Sequence, residues 1–344
     1  MSLSLTYALL LTIFAGLING ACIAPKRYLR NWSEEHVWFC YYFNSMLLLP
    51  LVTIFIFCPN FLLIVSKAQI LPIATLVIGG LFFGLGQVGF AMAFKHLGFS
   101  INFVITISIG TAFTALIGLI ASPKLILSLY GLLQFAGAAV FILAVMLGGL
   151  AGITRDNAKK SFESKASNAV TNVKLGVFLS IIGGIGSAFE GSAFVIANPY
   201  IADIAMKSGY KDPASDFFSW IIIFMSSSIP PLLYFAGLMV KNGTLQSFWN
   251  SSKNYYFPIT IVMGLGAWAS VLVFSFASSL VGGELAPTIV WPMFMVFIIL
   301  TSNMVGFISG EWKDAPKSAY VKIYSSIATF IIAIVVFSCS AIFK

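Results

Sequence analysis

The segment GGIGSAFEGSAF, residues 183–194, places a single carboxylate, Glu190, among apolar and small side chains. A carboxylate in such surroundings is costly unless it is paired, protonated or functional. A carboxyl group shielded from water can bind a proton and release it when its hydration changes. The sequence therefore indicates Glu190 as a proton-binding site, and a protonated glutamate hydrogen-bonded to a neighbour is the alternative interpretation.

Glu284, in the segment VGGELAP, is the competing candidate for proton binding. It lies at a predicted turn between two apolar segments, where a solvated loop charge is the simpler interpretation. No other carboxylate is predicted to lie as deep as Glu190. We therefore prefer Glu190 as the coupling residue.

A polar stripe with helical spacing runs through residues 102–114. Its members recur every four residues, with one further threonine beside them: Asn102, Thr106, Gly110, Thr114 and Thr111. Because residues four apart share one face of a helix, the stripe could offer hydroxyl and amide groups to a polyhydroxy solute. Hydrogen bonding between neighbouring helices is an equally good explanation.

Two tryptophans, Trp268 and Trp291, fall within predicted apolar helices. An indole ring can stack on the apolar face of a sugar, although tryptophan also serves as an anchor at the membrane interface. Asn44 and Asn303 are further polar candidates within apolar segments. The predicted solute-binding set comprises Gln87, Asn102, Thr106, Thr111, Trp268 and Trp291.

The composition places these residues in a membrane protein. Of 344 residues, 59% are hydrophobic and only 9% are charged, whereas about a quarter are charged in soluble domains. A helix needs about 20 apolar residues to cross a bilayer. Ten such runs are predicted, at residues 5–25, 36–57, 70–94, 99–121, 126–152, 174–197, 215–240, 257–280, 286–309 and 318–342.

Lysine and arginine predict the orientation of these spans, because short cytoplasmic loops retain positive charge. The loops that follow odd-numbered spans hold 14 of the 19 basic residues. We therefore expect both termini outside the cytoplasm and the polar segment 154–168 inside it. The same bias explains the net charge of +8, so no nucleic-acid partner is expected.

An odd number of spans before the polar segment means that the second half enters the membrane in the opposite sense. This is the inverted-repeat arrangement of secondary transporters. We expect an all-α integral membrane protein with ten transmembrane helices in two inverted five-helix repeats. The repeats would occupy residues 1–153 and 174–344, joined by a cytoplasmic linker at 154–173.

Four motifs, spread in order over nearly the whole chain, resemble those of a known family. They are GLINGACIAPKRYLRNWSEEHVW (16–38), GFAMAFKHLGFSINFVITISIGT (89–111), KLGVFLSIIGGIGSAFEGSAFVIANP (174–199) and SGEWKDAP (309–316). The chain resembles the L-rhamnose–proton symporter family of the drug/metabolite transporter superfamily. The resemblance implies two inverted five-helix halves around a central cavity, through which solute and proton cross together.

No sequence pattern indicates an enzyme. A nucleotide-binding loop, a nucleophile paired with a deep base and a metal-ligand cluster are all missing from the sequence. We expect no cofactor. The sequence favours a proton-coupled importer of a small neutral polar solute, L-rhamnose or a related sugar by resemblance, in a bacterial inner membrane. An exporter of the same fold and a non-transporting receptor or scaffold are the alternatives.

Overall fold

The computed structural model describes residues 3–120, 127–162, 172–251, 253–281, 290–340 and 343, and these residues form helices but no strand. A 3-10 turn at Ala24–Tyr28 follows the first helix, and a π-helical turn at Phe43–Leu48 joins the second to the third. The described α-helices are α1 (Leu3–Ala21), α2 (Glu34–Tyr42), α3 (Leu49–Phe57), α4 (Phe61–Lys67), α5 (Ile70–Ile120), α6 (Leu129–Phe162), α7 (Val173–Lys207), α8 (Ala214–Ser227), α9 (Ile229–Lys241), α10 (Leu245–Asn250), α11 (Tyr256–Val281), α12 (Trp291–Ile308) and α13 (Lys317–Ser340).

The outer surface of the helices is apolar, as a lipid environment requires. Large side chains such as Phe55 and Ile70 are 81% and 82% exposed, which would be unfavourable over such an area in water. Seven helical segments of the described chain are long and apolar enough to cross a membrane. The prediction of an all-helical membrane protein is therefore confirmed.

One of these segments, Ile70–Thr114, has 45 residues, which would extend about 68 Å as a straight helix. A bilayer core is only about 30 Å thick. The helix is interrupted at Gly98, whose φ of 72° and ψ of −166° are essentially restricted to glycine. We therefore describe α5 as a first part, residues 70–97, and a second part, residues 99–120.

Glu311 stabilises the start of the second part of α5. Its carboxylate accepts hydrogen bonds from the backbone N–H groups of Phe99, at 2.5 Å, and Ser100, at 3.2 Å. These are N–H groups that a helix cannot satisfy by itself. A Cβ atom on Gly98 would lie 2.9 Å from the carboxyl carbon of Glu311, so backbone conformation and space both favour glycine there.

Helix α6 is longer than the predicted fifth span, which ended at 152. It continues to Phe162, so the polar segment begins as helix, and residues 163–171 lie outside the described residues. Arg155, in this extension, donates a 3.0 Å hydrogen bond to the carbonyl oxygen of Leu97. Its guanidinium lies 5.2 Å from the ring centre of Trp312. The extension thus contacts the end of the first part of α5 and the loop after α12.

The seventh predicted span is interrupted at Ser228, just before Pro230 and Pro231. Helix α8 ends at Ser227 and α9 begins at Ile229, so that both prolines lie in the first turn of α9. Proline lacks a backbone N–H and cannot continue a helix in its interior, but it is tolerated in a first turn. The seventh apolar run therefore forms two helices.

Glycine allows α7 to pack closely against α5. A Cβ atom on Gly86 would lie 2.8 Å from the Cα of Gly186, and one on Gly186 would lie 2.7 Å from the Cα of Gly86. In the second part of α5, a Cβ on Gly110 would lie 2.7 Å from the Cβ of Ser187. Small residues permit such close approach of membrane helices, and this contact fixes the position of the middle of α7.

Helices α6 and α13 form a separate pair. The rings of Phe141 and Phe330 lie 5.2 Å apart between their centres, with an angle of 78° between their planes. The hydroxyl of Ser326 donates a 2.7 Å hydrogen bond to the carbonyl oxygen of Ala144. These contacts hold α6 against α13.

Candidate functional site

A cavity of about 120 Å³ lies between the helices. One water needs only about 10–15 Å³ measured in this way, so the cavity can hold several waters or a small organic molecule. It is lined by residues of α1, α2, the π-helical turn, both parts of α5, α7, α8, α11 and α12. We call it the central cavity. Among the described residues, none from α6 or α13 lines it.

Glu190 of α7 lines the central cavity, together with Ser187 one turn earlier. Its side chain is half-buried. Within the described part of the chain, the Glu190 carboxylate makes neither a hydrogen bond nor an ion pair. The alternative of a structural glutamate hydrogen-bonded to a neighbour therefore finds no partner among these residues.

Two aspartates that follow Glu190 in the chain, Asp203 and Asp216, differ from it. Asp203, at the end of α7, is exposed and forms a 2.7 Å ion pair with Lys207. Asp216 accepts a 2.6 Å hydrogen bond from the side-chain amide of Asn198. Neither aspartate lines the central cavity, and Glu284, the competing candidate, lies outside the described residues.

Four of the six predicted solute-binding residues line the central cavity: Gln87, Thr106, Thr111 and Trp291. The Gln87 side-chain oxygen accepts a 3.3 Å hydrogen bond from the hydroxyl of Tyr42. The Thr111 hydroxyl donates to a backbone carbonyl of its own helix at 2.8 Å. Threonine and glutamine thus retain hydrogen-bonding capacity toward the cavity.

The other two, Asn102 and Trp268, are buried beside the cavity and are not among its lining residues. The Asn102 amide donates to the carbonyl oxygen of Phe90 at 2.8 Å and accepts from the hydroxyl of Ser180 at 2.7 Å. The indole N–H of Trp268 donates to the hydroxyl of Thr53 at 2.7 Å. Both side chains therefore support the cavity wall.

The polar stripe of α5 faces α7. The Thr106 hydroxyl donates to the carbonyl oxygen of Ser180 at 3.2 Å, and the Thr114 hydroxyl donates to that of Ala188 at 3.5 Å. Hydrogen bonding between helices, one of the two interpretations open from the sequence, thus accounts for much of the stripe. Thr106 takes part in that bonding and also lines the central cavity.

Asn44 and Asn303 also make structural hydrogen bonds. The Asn44 amide donates to the hydroxyl of Thr260 at 3.2 Å, and the Asn303 amide donates to the carbonyl oxygen of Ile299 at 2.8 Å. Neither residue lines the central cavity. Asn44 therefore links the π-helical turn to α11, whereas Asn303 links two successive turns of α12.

Trp220 of α8 is a cavity residue that the sequence did not single out. Its ring lies 4.1 Å from that of Phe194, centre to centre, in a stacked arrangement. Among the described residues, the buried indole N–H groups of Trp220 and Trp291 have no hydrogen-bond partner. Both residues line the cavity.

The remaining wall combines aromatic rings with a few polar groups. Asn19, Tyr41 and Ser45 add an amide and hydroxyls, and Phe83 and Phe224 are among the phenylalanines. A mostly apolar wall with a small number of polar groups is typical of small-molecule sites. Ser45 belongs to the π-helical turn, a conformation that is frequent at functional sites.

A second cavity, of about 420 Å³, lies at one end of the bundle. Its wall includes Lys26, Arg27, Arg30 and Lys95, as well as Glu311. These residues come from the loops after the first, third and ninth predicted spans, or from beside them. We call this second cavity the basic vestibule.

The described residues contain no group of three or more histidine, cysteine, aspartate or glutamate side chains that could hold a metal ion. The two histidines are engaged elsewhere. The His36 ring contacts the carbonyl oxygen of Thr244 at 3.0 Å, and the His96 ring accepts a 3.4 Å hydrogen bond from the backbone N–H of Asn172. The central cavity therefore offers hydrogen-bonding side chains and, among the described residues, the unpaired carboxylate of Glu190.

Comparison with known proteins adds the following. The chain matches, over residues 1–341, the family described as L-rhamnose-proton symport protein (RhaT). Similar proteins include the L-rhamnose-proton symporter of Cronobacter sakazakii, 26% identical over 314 residues that cover 88% of each chain. The L-rhamnose-proton symporter of Citrobacter koseri is 24% identical over 311 residues, again 88% of each chain. No solved structure matches.

Proposed function

The chain belongs to the L-rhamnose-proton symport protein family, and we propose that it imports a small neutral sugar together with protons, with L-rhamnose as the first candidate solute. It is a membrane transporter and not an enzyme. The observation that carries the proposal is a cavity between membrane helices whose wall combines indole, hydroxyl and amide groups with one unpaired carboxylate.

Glu190 is the proposed proton site. A carboxyl group in the wall of a small cavity can take up a proton when the cavity is open to the outside and lose it when hydration changes on the inner side. Ionisable residues inside membrane helices commonly mark proton pathways. The lack of a hydrogen-bond or ion-pair partner among the described residues leaves the Glu190 carboxylate available for proton exchange.

The proposed solute site is formed by Gln87, Thr106, Thr111 and Trp291, joined by Trp220. Their side chains offer hydroxyl, amide and indole groups that can exchange hydrogen bonds with sugar hydroxyls, and the indole rings can pack on an apolar sugar face. In this proposal, Asn102 and Trp268 do not contact the solute but support the wall of the central cavity. Asn102 helps to orient Thr106, whose hydroxyl lies 3.4 Å from its side-chain oxygen.

We propose ten transmembrane helices in two inverted five-helix repeats. One pattern supports this arrangement. In the first half, α1, the α2–α3 segment and both parts of α5 supply cavity residues, and in the second half α7, α8, α11 and α12 do so. The remaining helix of each half, α6 or α13, supplies none among the described residues, and these two helices pack together.

We propose that the basic vestibule faces the cytoplasm of a bacterium, with the protein in the inner membrane and both termini outside. The positive-inside rule supports this orientation, because the vestibule gathers basic residues from several loops. The polar segment 154–173 would then be the cytoplasmic linker between residues 1–153 and 174–344.

Addition of L-rhamnose to proteoliposomes is expected to acidify the lumen, because each entering sugar carries a proton with it. An entrapped pH-sensitive dye measures the change, with equal K⁺ and valinomycin on both sides to prevent a membrane potential. Mannitol, a neutral polyol, and protein-free liposomes serve as controls. Alkalinisation of the lumen would instead indicate an exporter working by exchange with protons, and no change with any sugar would favour a receptor or scaffold.

A further inference from the structure

Four phenylalanines separate the central cavity from the basic vestibule. Phe90 and Phe103 line the central cavity, whereas Phe94 and Phe99 line the vestibule. Phe90 and Phe94 are four residues apart in the first part of α5, and Phe99 and Phe103 are four residues apart in the second part, so each of these two pairs lies on one helix face. Each part of α5 therefore contributes one ring to the wall of the central cavity and one ring to the wall of the vestibule. We call these four residues the phenylalanine cluster.

The cluster is closely packed. Between ring centres, Phe90 lies 5.0 Å from Phe94, and Phe99 lies 5.3 Å from Phe103. Across the break, Phe90 lies 5.2 Å from Phe103 and Phe94 lies 5.3 Å from Phe99. These distances fall within the range of attractive aromatic pairs. All four side chains are at least 91% buried, with exposures of 3 to 9%.

Ile23 lies at the boundary as well, because it lines both cavities. The two cavities therefore share a wall residue beside the phenylalanine cluster. We infer that the phenylalanine cluster is the barrier that controls passage of solute between the central cavity and the cytoplasm. This inference deepens the proposed transport function and rests on it for the identity of the solute.

The position of the break in α5 suits such a barrier. Gly98 lies between the pair Phe90 and Phe94 and the pair Phe99 and Phe103, so a change in the angle between the two parts of α5 moves one pair relative to the other. Glu311 holds the second part by its backbone N–H groups at the break. The cluster can therefore open by a local adjustment at Gly98 while the helices keep their hydrogen bonds.

Cys22 provides a reporter for the barrier, because its buried side chain lines the central cavity. The other cysteines, Cys40, Cys58 and Cys339, are replaced by serine. A membrane-impermeant methanethiosulfonate reagent is then applied to the cytoplasmic face of inside-out vesicles, and the rate of Cys22 labelling is measured. We expect slow labelling in this background, and labelling at least tenfold faster when Phe94→Ala or Phe99→Ala is added.

Three further variants make this result specific. Phe141→Ala removes an equally buried ring from the α6–α13 pair, which lines neither cavity, and is expected to leave the rate unchanged. Phe99→Leu retains most of the apolar bulk and is expected to give an intermediate rate. Arg30→Cys, in the vestibule and with Cys22→Ser, is expected to be labelled rapidly from the cytoplasmic face with the phenylalanine cluster intact.

Several results would overturn the inference. Cys22 could be labelled as fast as Arg30→Cys in the intact cluster, or its rate could stay unchanged in Phe94→Ala and Phe99→Ala. An equal increase in Phe141→Ala would show general loosening instead of a barrier. Labelling of Arg30→Cys only from the opposite face would refute the cytoplasmic assignment. Because no solute is used, a barrier found in a protein that fails the lumen acidification test would refute the transport proposal alone.

Discussion

The Glu190→Gln variant is expected to lose gradient-driven accumulation of sugar while it retains exchange of sugar across the membrane. Glutamine has nearly the same shape as glutamate but cannot carry the proton. One pH unit supplies about 1.36 kcal/mol and 100 mV about 2.3 kcal/mol per charge. At one proton per neutral sugar, these together support roughly 500-fold accumulation in the wild type, which should fall to about equal concentrations in the variant.

The measurement compares two assays of labelled L-rhamnose in the same proteoliposomes. Accumulation under an inward proton gradient reports coupling, and counterflow into vesicles preloaded with unlabelled sugar reports binding and movement of the cavity. Asp203→Asn is the matched control, because it removes an exposed carboxylate from the same helix and should leave accumulation intact. Accumulation by Glu190→Gln at the wild-type level would assign proton coupling to another residue.

The Gly86→Ala variant is expected to be less stable and to lose transport. The added methyl group would lie 2.8 Å from the Cα of Gly186 and 3.1 Å from the carbonyl oxygen of Gly183. Both are backbone atoms, so the contact can be relieved only by separating α5 from α7. Overpacking of this kind costs about 1–3 kcal/mol. Because Glu190 lies one turn beyond Gly186, the separation also displaces the proposed proton site.

Thermal unfolding in detergent and sugar exchange in proteoliposomes test this prediction together. Gly237→Ala is the matched control, since Gly237 lies within helix α9 and a Cβ there meets no atom within 4 Å. Alanine favours a helix over glycine by about 0.5–1 kcal/mol, so this control should be as stable as the wild type or slightly more stable. Equal behaviour of the two variants would show that the glycine contact does not set the distance between α5 and α7.

The apolar runs of the sequence predicted where helices lie, because their length and composition depend only on the membrane. The runs at 70–94 and 99–121 also predicted a break between residues 94 and 99, because a chain that crosses the membrane twice must change direction between the crossings. They could not predict that the break is a single residue, Gly98, or that Glu311 accepts hydrogen bonds from the backbone N–H groups of the next two residues. That contact joins residues more than 200 positions apart in the chain.

Helical periodicity indicated which side chains share a face, but not what that face contacts. Ser187 and Glu190 lie three residues apart in α7, as helical spacing on one face requires, and both line the cavity. Asn102 also lies on the predicted polar face, yet it hydrogen-bonds to Ser180 of α7. The difference depends on which residue of the neighbouring helix lies opposite each position, and local spacing carries no such information.

Tryptophan shows a similar limit. Trp268 and Trp291 were singled out because they lie inside predicted spans, but the indole N–H of Trp268 is satisfied by Thr53. Trp220 lies near the start of a predicted span, where an interfacial anchor is the usual explanation. Trp220 nevertheless lines the cavity, and its buried indole N–H has no partner among the described residues. The position of a tryptophan within a predicted span is thus a weaker guide to its contacts than the identity of the neighbouring helices.

The central claim, that a proton gradient drives sugar into the cell through this protein, is tested most directly by uptake of labelled L-rhamnose into wild-type proteoliposomes. The lumen starts one pH unit more alkaline than the medium, and an ionophore later collapses the gradient. We predict accumulation above the external concentration, followed by loss of the accumulated sugar once the gradient is gone. Uptake that only equalises the two concentrations, with or without the gradient, would contradict proton-coupled import of this sugar.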